Sequence, residues 1–220
     1  MRYILLLFTT ILFASSIKTY HYSKSKNYCD NNKWRYCSSY DINYTKFKNK
    51  KLNQIVNNLY TSNINEFYDA NPQNDIKEVL EYKPERDLNM FFYNKLTLFT
   101  ITKETLTIKQ QITSYHGGAH GSDEIYFYNY GLKSHKLIKL QDIYNIKKLT
   151  KIAQNYYKKT HKIKNLVDDG WFENRFILAK EFAIMKKGIL FYYNSYEIKP
   201  YSYGHTKFFI PYSILTPALR

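Results

Sequence analysis

Cysteine is nearly absent from this chain. Two occur in 220 residues, Cys29 and Cys37, too few for a disulfide-built scaffold or an all-cysteine zinc site. Glycine and proline number only seven and five, which excludes collagen-like and low-complexity sequence. Long apolar runs are missing beyond residues 4–14, and that run is shorter than the roughly 20 residues needed to cross a bilayer. No glycine-framed serine, phosphate-cradling loop or dinucleotide fingerprint occurs, so the usual marks of hydrolases and nucleotide enzymes are lacking. Neither a fixed-period repeat nor a glycine- or serine-rich linker divides the chain, which reads as one folded unit. Acidic residues are few, 18 against 33 lysines and arginines, for a formal charge of +15.

What is present is aromatic. With 24 tyrosines and 14 phenylalanines, the core and sheet faces must be built largely from rings, and disorder is excluded for most of the chain. Arg2 followed by the apolar stretch Ile4 to Ala14 and the small residues Ala14-Ser15-Ser16 forms the pattern of a cleavable export signal, residues 1–16, with Ile17 as the mature start. The expected location is periplasmic or secreted, with no membrane span after cleavage. In an oxidising compartment Cys29 and Cys37 are read first as a disulfide closing a short loop, and otherwise as two unpaired thiols. An exported cation of this size is expected to meet anionic envelope components, not nucleic acid. Asn43-Tyr44-Thr45 is a glycosylation sequon.

Residues 17–40 are basic and tyrosine-rich without clear periodicity, and read as a loosely ordered lead-in to a domain at 41–220. Asp41 to Phe47 alternates like a strand. Leu52, Ile55, Val56, Leu59, Tyr60 and Phe67 mark an amphipathic helix over 50–68, and a short helical or irregular piece is expected over 75–82. Strands are expected at 88–101, 105–115 and 124–130, forming an antiparallel meander, with a further strand at 136–140. Leu149, Ile152, Ala153, Tyr156 and Tyr157 mark a second helix over 146–160. A hairpin of 176–185 with 189–193, a strand at 207–211 and a short terminal helix capped by Ser213 complete the reading. The class is α+β: an antiparallel sheet with two main helices on one face and a short C-terminal helix.

Two segments carry the candidate site. Tyr115-His116-Gly117-Gly118-Ala119-His120-Gly121 places three glycines within five residues, which permits a sharp bend and close backbone approach. Asn194-Ser195-Tyr196-Glu197-Ile198-Lys199-Pro200-Tyr201-Ser202-Tyr203-Gly204 brings tyrosines, a carboxylate and a proline to a second bend. Gly117, Gly118 and Gly121 would shape a turn, and His120, Tyr196, Glu197, Tyr201 and Gly204 would offer hydrogen bonds and flat contact area beside it. Such devices suggest binding. His116 and His120, with His135, His205, Asp123 or Glu197 as a third ligand, could hold a metal only if both histidines faced one way, which the glycines oppose; no metal or other cofactor is expected. A hydrolase or deacetylase using His116, His120 and Glu197 is the competing class, but no spacing sets two carboxylates for glycoside cleavage.

The order of these motifs, with Leu137 to Tyr144, Phe182 to Ile198 and Ile210-Pro211-Tyr212, resembles the extracytoplasmic domain shared by the anti-sigma factor RsiV and the peptidoglycan deacetylase PdaC, over about residues 41–219. His116, Lys199 and Tyr203 depart from its pattern. The resemblance implies a non-catalytic α+β module that binds at the cell envelope, with a cell-wall glycan or a lysozyme-type muramidase as partner.

Overall fold

The computed structural model describes residues 19–29, 37–47, 50, 51, 53–55, 57, 58, 90–115, 119–134 and 136–220, with side chains placed from residue 50 onward and, after the gap, from residue 93. The export signal, the helical or irregular piece expected at 75–82, and His116, Gly117, Gly118 and His135 lie outside the described residues.

The α+β class holds, with the strands divided between two sheets. The first runs β1-β2-β3-β4-β5, formed by Thr19–Cys29, Cys37–Phe47, Met90–Ile101, Thr105–Tyr115 and Ser122–Gly131. All its neighbours are antiparallel except β2 and β3, which pair in parallel. The second is β6-β7-β8, an antiparallel meander of Glu181–Ile184, Gly188–Tyr193 and Thr206–Pro211.

The expected meander β3-β4-β5 is present. Its first turn needs no glycine, because Thr102 Oγ1 accepts the Thr105 amide at 2.9 Å and meets Thr105 Oγ1 at 2.8 Å. Residues 17–40 differ from expectation, since β1 and the start of β2 lie there. In Thr19–Cys29 the alternate positions are Thr, His, Ser, Ser and Asn against Tyr, Tyr, Lys, Lys and Tyr, so no aliphatic face announces the strand. Register sets Cys29 opposite Cys37 at the end of the β1–β2 pair.

Helix α1 is the single turn Leu140–Ile143, α2 is Ile146–His161 and α3 is Tyr212–Leu215. Asn145 caps α2 by accepting the Lys148 amide at 3.1 Å. Leu149, Ala153 and Tyr157, spaced one turn apart, are fully buried in the larger core with Phe191, Tyr193 and Ile210 of the second sheet. Residues 50, 51, 53–55, 57 and 58 are helical, and Ile55 packs on Leu96, Leu106, Ile108 and Tyr130 of the first sheet. Among the described residues, no helix is long and apolar enough to cross a membrane.

Three expectations are corrected. Residues 136–140 do not form a strand; Leu137 makes one bridge to Tyr130, and the Asp142 carboxylate then captures the Lys139 amide at 2.8 Å and starts α1. The strand expected from 176 begins only at Glu181, since Ile177 gives its carbonyl to the Tyr193 hydroxyl at 2.6 Å. Ser213 lies inside α3, whose cap position is Pro211.

The outer edge of β5 is satisfied by side chains. Asn194 accepts the Ile125 amide at 2.8 Å and donates to the Ile125 carbonyl at 3.0 Å. Glu181 accepts the Phe127 amide at 2.7 Å. The Ile138 amide bonds the Asn129 carbonyl, and the Gly131 amide bonds the Lys136 carbonyl. From the same edge the Asn129 side chain donates to Phe182 O and accepts from Ile184 N, both at 2.8 Å, and accepts from Thr107 Oγ1. Asn129 is 2% exposed, so its removal strands buried backbone groups of β6. Replacing Asn129 by Ala should destabilise the protein by roughly 2–4 kcal/mol in urea unfolding, from three lost bonds and orphaned partners. A loss below about 0.5 kcal/mol, the range of ordinary surface changes, would show that the two sheets are held otherwise.

Candidate functional site

The stitched edge positions the site. Asn194 ends β7 and grips Ile125 on β5, four residues beyond Gly121. Immediately after it the chain turns back: the Glu197 amide bonds the Asn194 carbonyl at 3.2 Å, while the Glu197 carboxylate accepts the Asn194 amide at 3.0 Å. Tyr196 sits at the tip of this turn with φ of 67°, in the left-handed region. Pro200 then opens a single 3-10 turn, Tyr201–Tyr203, closed by Gly204 at φ 62° and ψ −150°, a conformation that only glycine takes readily.

The two sequence segments therefore meet. The His120 ring stacks on Tyr201 with centroids 3.9 Å apart and planes 14° apart, and Tyr196 stands 5.5 Å from Tyr201. His120 Nδ1 lies 3.0 Å from the Gly121 carbonyl, and Nε2 lies 3.2 Å from the Tyr196 hydroxyl. A carbonyl only accepts, so Nδ1 is the donor there; in the tautomer with its proton on Nδ1, Nε2 accepts from Tyr196. Tyr201 donates to the same carbonyl at 3.3 Å. Gly121 is required because a Cβ would stand 2.7 Å from the Ser114 carbonyl across the strand pair. Tyr196 and Tyr203 remain 56% exposed and Tyr201 38%. The result is an open aromatic shelf.

Glu197 is half-buried and occupied by backbone. Burial raises its carboxyl pKa, against the Asn194 amide, which lowers it. Glu181 is likewise pushed up by burial and by the Glu197 charge, with the Phe127 amide opposing. Asp123 accepts from Gln111 at 3.1 Å and Thr113 at 3.0 Å and faces His205 Nε2 at 3.4 Å. Among the described residues no three His, Cys, Asp or Glu side chains converge as a metal set.

Sequence reading missed a second cluster behind the shelf. Lys199, only 7% exposed, donates to Asp169 at 2.8 Å, and Tyr157 donates to the same oxygen while accepting from Trp171 Nε1 at 3.2 Å. Burial alone would raise the Asp169 pKa, but the bonds from Lys199 and Tyr157 outweigh it and hold the carboxyl below its ordinary value. The Lys199 ammonium also lies 5.5 Å over the Tyr203 ring. Lys199 and Tyr203 are the two positions where the segment departs from the expected family pattern, the one sequence signal that pointed toward this cluster.

Residues 137–213 match the family model described as "Protein of unknown function (DUF3298)". The chain is similar to that family over this stretch, about a third of its length. It is 26% identical over 193 residues to the peptidoglycan-N-acetylmuramic acid deacetylase PdaC of Bacillus subtilis (strain 168). That match covers 83% of this chain and 39% of the deacetylase, so the chain spans about two fifths of that relative. A crystal structure of a DUF3298 family member from Bacteroides fragilis matches with TM-score 0.72 at 21% identity, over 93% of this chain and 94% of that one. A DUF3298 protein from Pseudomonas aeruginosa matches with TM-score 0.70 at 21% identity over the same shares. Both show the fold.

Two expected outcomes follow from this geometry. A carboxyl whose folded pKa is raised contributes stability that is present below its unfolded value and lost as pH rises through the folded value. Glu181→Gln keeps an acceptor for Phe127 and removes the buried charge. Its stability relative to wild type should therefore be higher at pH 7 than at pH 4 in urea titrations at the two pH values, and a difference independent of pH would contradict the raised value. Tyr196→Gly relieves a left-handed non-glycine residue, a strain of about 1–2 kcal/mol, against about 0.4–1 kcal/mol of added unfolded-state entropy. Its thermal midpoint should match or exceed wild type. A clear drop would mean that the ring is a packing residue.

Proposed function

We propose that the chain is a non-catalytic, exported binding module of the bacterial cell envelope whose aromatic shelf recognises a cell-wall glycan. The observation that carries this reading is the surface stack of His120 on Tyr201 with Tyr196 beside it. Flat, exposed rings backed by rigid hydrogen bonds suit the apolar faces of sugar rings, while the tyrosine hydroxyl oxygens at their edges keep lone pairs for the polar rims. Tyr196 held at positive φ supports the same reading, because strain at an exposed aromatic is retained where the ring is needed. The likeness to PdaC supports a peptidoglycan setting. Glu197, tied to the Asn194 amide, favours binding over hydrolysis or deacetylation by His116, His120 and Glu197.

Export itself rests on residues 1–16, and the proposed Cys29–Cys37 bond on the register that sets the two residues opposite each other. A lysozyme-type muramidase is a weaker partner, since such enzymes are basic and would be repelled by this chain at long range.

Co-sedimentation with purified peptidoglycan, stripped of attached anionic polymers, tests the reading. Wild type should pellet with the wall, and Tyr196→Ala or Tyr201→Ala should weaken binding by roughly 2- to 12-fold each, the value of one aromatic contact. No soluble sugar fragment or acetate should be released. Binding unchanged in both variants, or turnover abolished by Glu197→Gln, would overturn it.

A further inference from the structure

The solvent face of α2 is a cationic row with no acidic residue in the helix: its sequence, IKKLTKIAQNYYKKTH, holds five lysines and no Asp or Glu. At about 100° per residue, Lys147, Lys148, Lys151, Lys158, Lys159 and the capping Lys162 fall within an arc of about 120°. All are exposed except Lys158, which is half-exposed. The helix has 16 residues, so the row runs for about 24 Å. The opposite face is used up, with Leu149, Ala153 and Tyr157 at 0% exposure in the core.

We propose that this row is a docking track for a linear polyphosphodiester of the cell envelope. A row of like charges one or two residues wide repels itself, and that cost is offset when phosphates lie along it and release their counterions. A straight, narrow track fits a flexible chain with one phosphate per unit. A membrane surface fits less well, because an interfacial helix inserts an apolar face and this one has none free. A protein partner fits less well again, since lysine is depleted from the cores of protein interfaces. Only the source of the polymer rests on the proposed export; the track itself is independent of the aromatic shelf.

The test uses poly(glycerol phosphate) of about twenty units, titrated into the chain across a salt series. Wild type should bind with strongly salt-dependent affinity. The triple variant Lys147→Gln, Lys151→Gln, Lys158→Gln should bind at least tenfold more weakly and show a log–log salt slope smaller by about 2, from three lost phosphate contacts. A control with Lys103→Gln, Lys133→Gln and Lys186→Gln removes equal charge from exposed turns and should bind like wild type. Equal weakening in both triple variants would overturn the proposal in favour of net charge alone. Preference for phosphatidylglycerol vesicles, or for a single-stranded oligonucleotide, over the polymer would overturn it in favour of a membrane or a nucleic acid. Matching thermal midpoints of the variants confirm that the fold is kept, and retained binding to polymer-free peptidoglycan separates this outcome from failure of the shelf.

Discussion

The edge of β5 sets the structure. A sheet edge exposes unpaired amides and carbonyls, and here it meets a second sheet without pairing to it through backbone. At β5 one asparagine amide and one carboxylate take the places a neighbouring strand would fill, and Asn129 of β5 does the same for the facing edge of β6. An asparagine side chain carries one acceptor and one donor group in the same order as a peptide unit, which is why Asn194 can satisfy both the amide and the carbonyl of Ile125. Because the partners are single side chains, the two sheets need not share one plane or one twist, and each can carry its own core.

Function follows from the same arrangement. The grip of Asn194 on Ile125 brings a turn from one sheet against the mouth of the β4–β5 hairpin in the other, and so brings Tyr196 to His120. Glu197, which invites a catalytic role on sequence grounds, is the brace of that turn. The exposed rings are held by a rigid frame, as binding loops on folded scaffolds are. Behind them Asp169 gathers Lys199 and Tyr157 and ties the second segment to α2.

The strands at 105–115 and 146–160's helix were readable because their aliphatic residues repeat at the period of the element that buries them. Thr19–Cys29 was not, because its alternation is between polar residues and tyrosine or lysine. The failed strand at 136–140 shows a different limit: its apolar residues fit a strand, but a carboxylate three residues on competes locally for the Lys139 amide. At the site, glycine spacing and clustered tyrosines pointed to His120, Gly121, Tyr196, Tyr201 and Gly204. The role of Asn194 was hidden, since its partner is 69 residues away and no local pattern records so distant a bond. Lys199 stood out only as a departure from the family pattern, and its partner Asp169 is 30 residues away in the chain.

Amide hydrogen exchange on β5 tests the central claim most directly. If side chains complete the edge, the amides of Ile125 and Phe127 should exchange as slowly as those of Tyr126 and Tyr128, which alternate toward β4, and Asn194→Ala should free Ile125 alone. Ile125 and Phe127 exchanging at the rate of an open sheet edge in the unaltered protein would contradict the account.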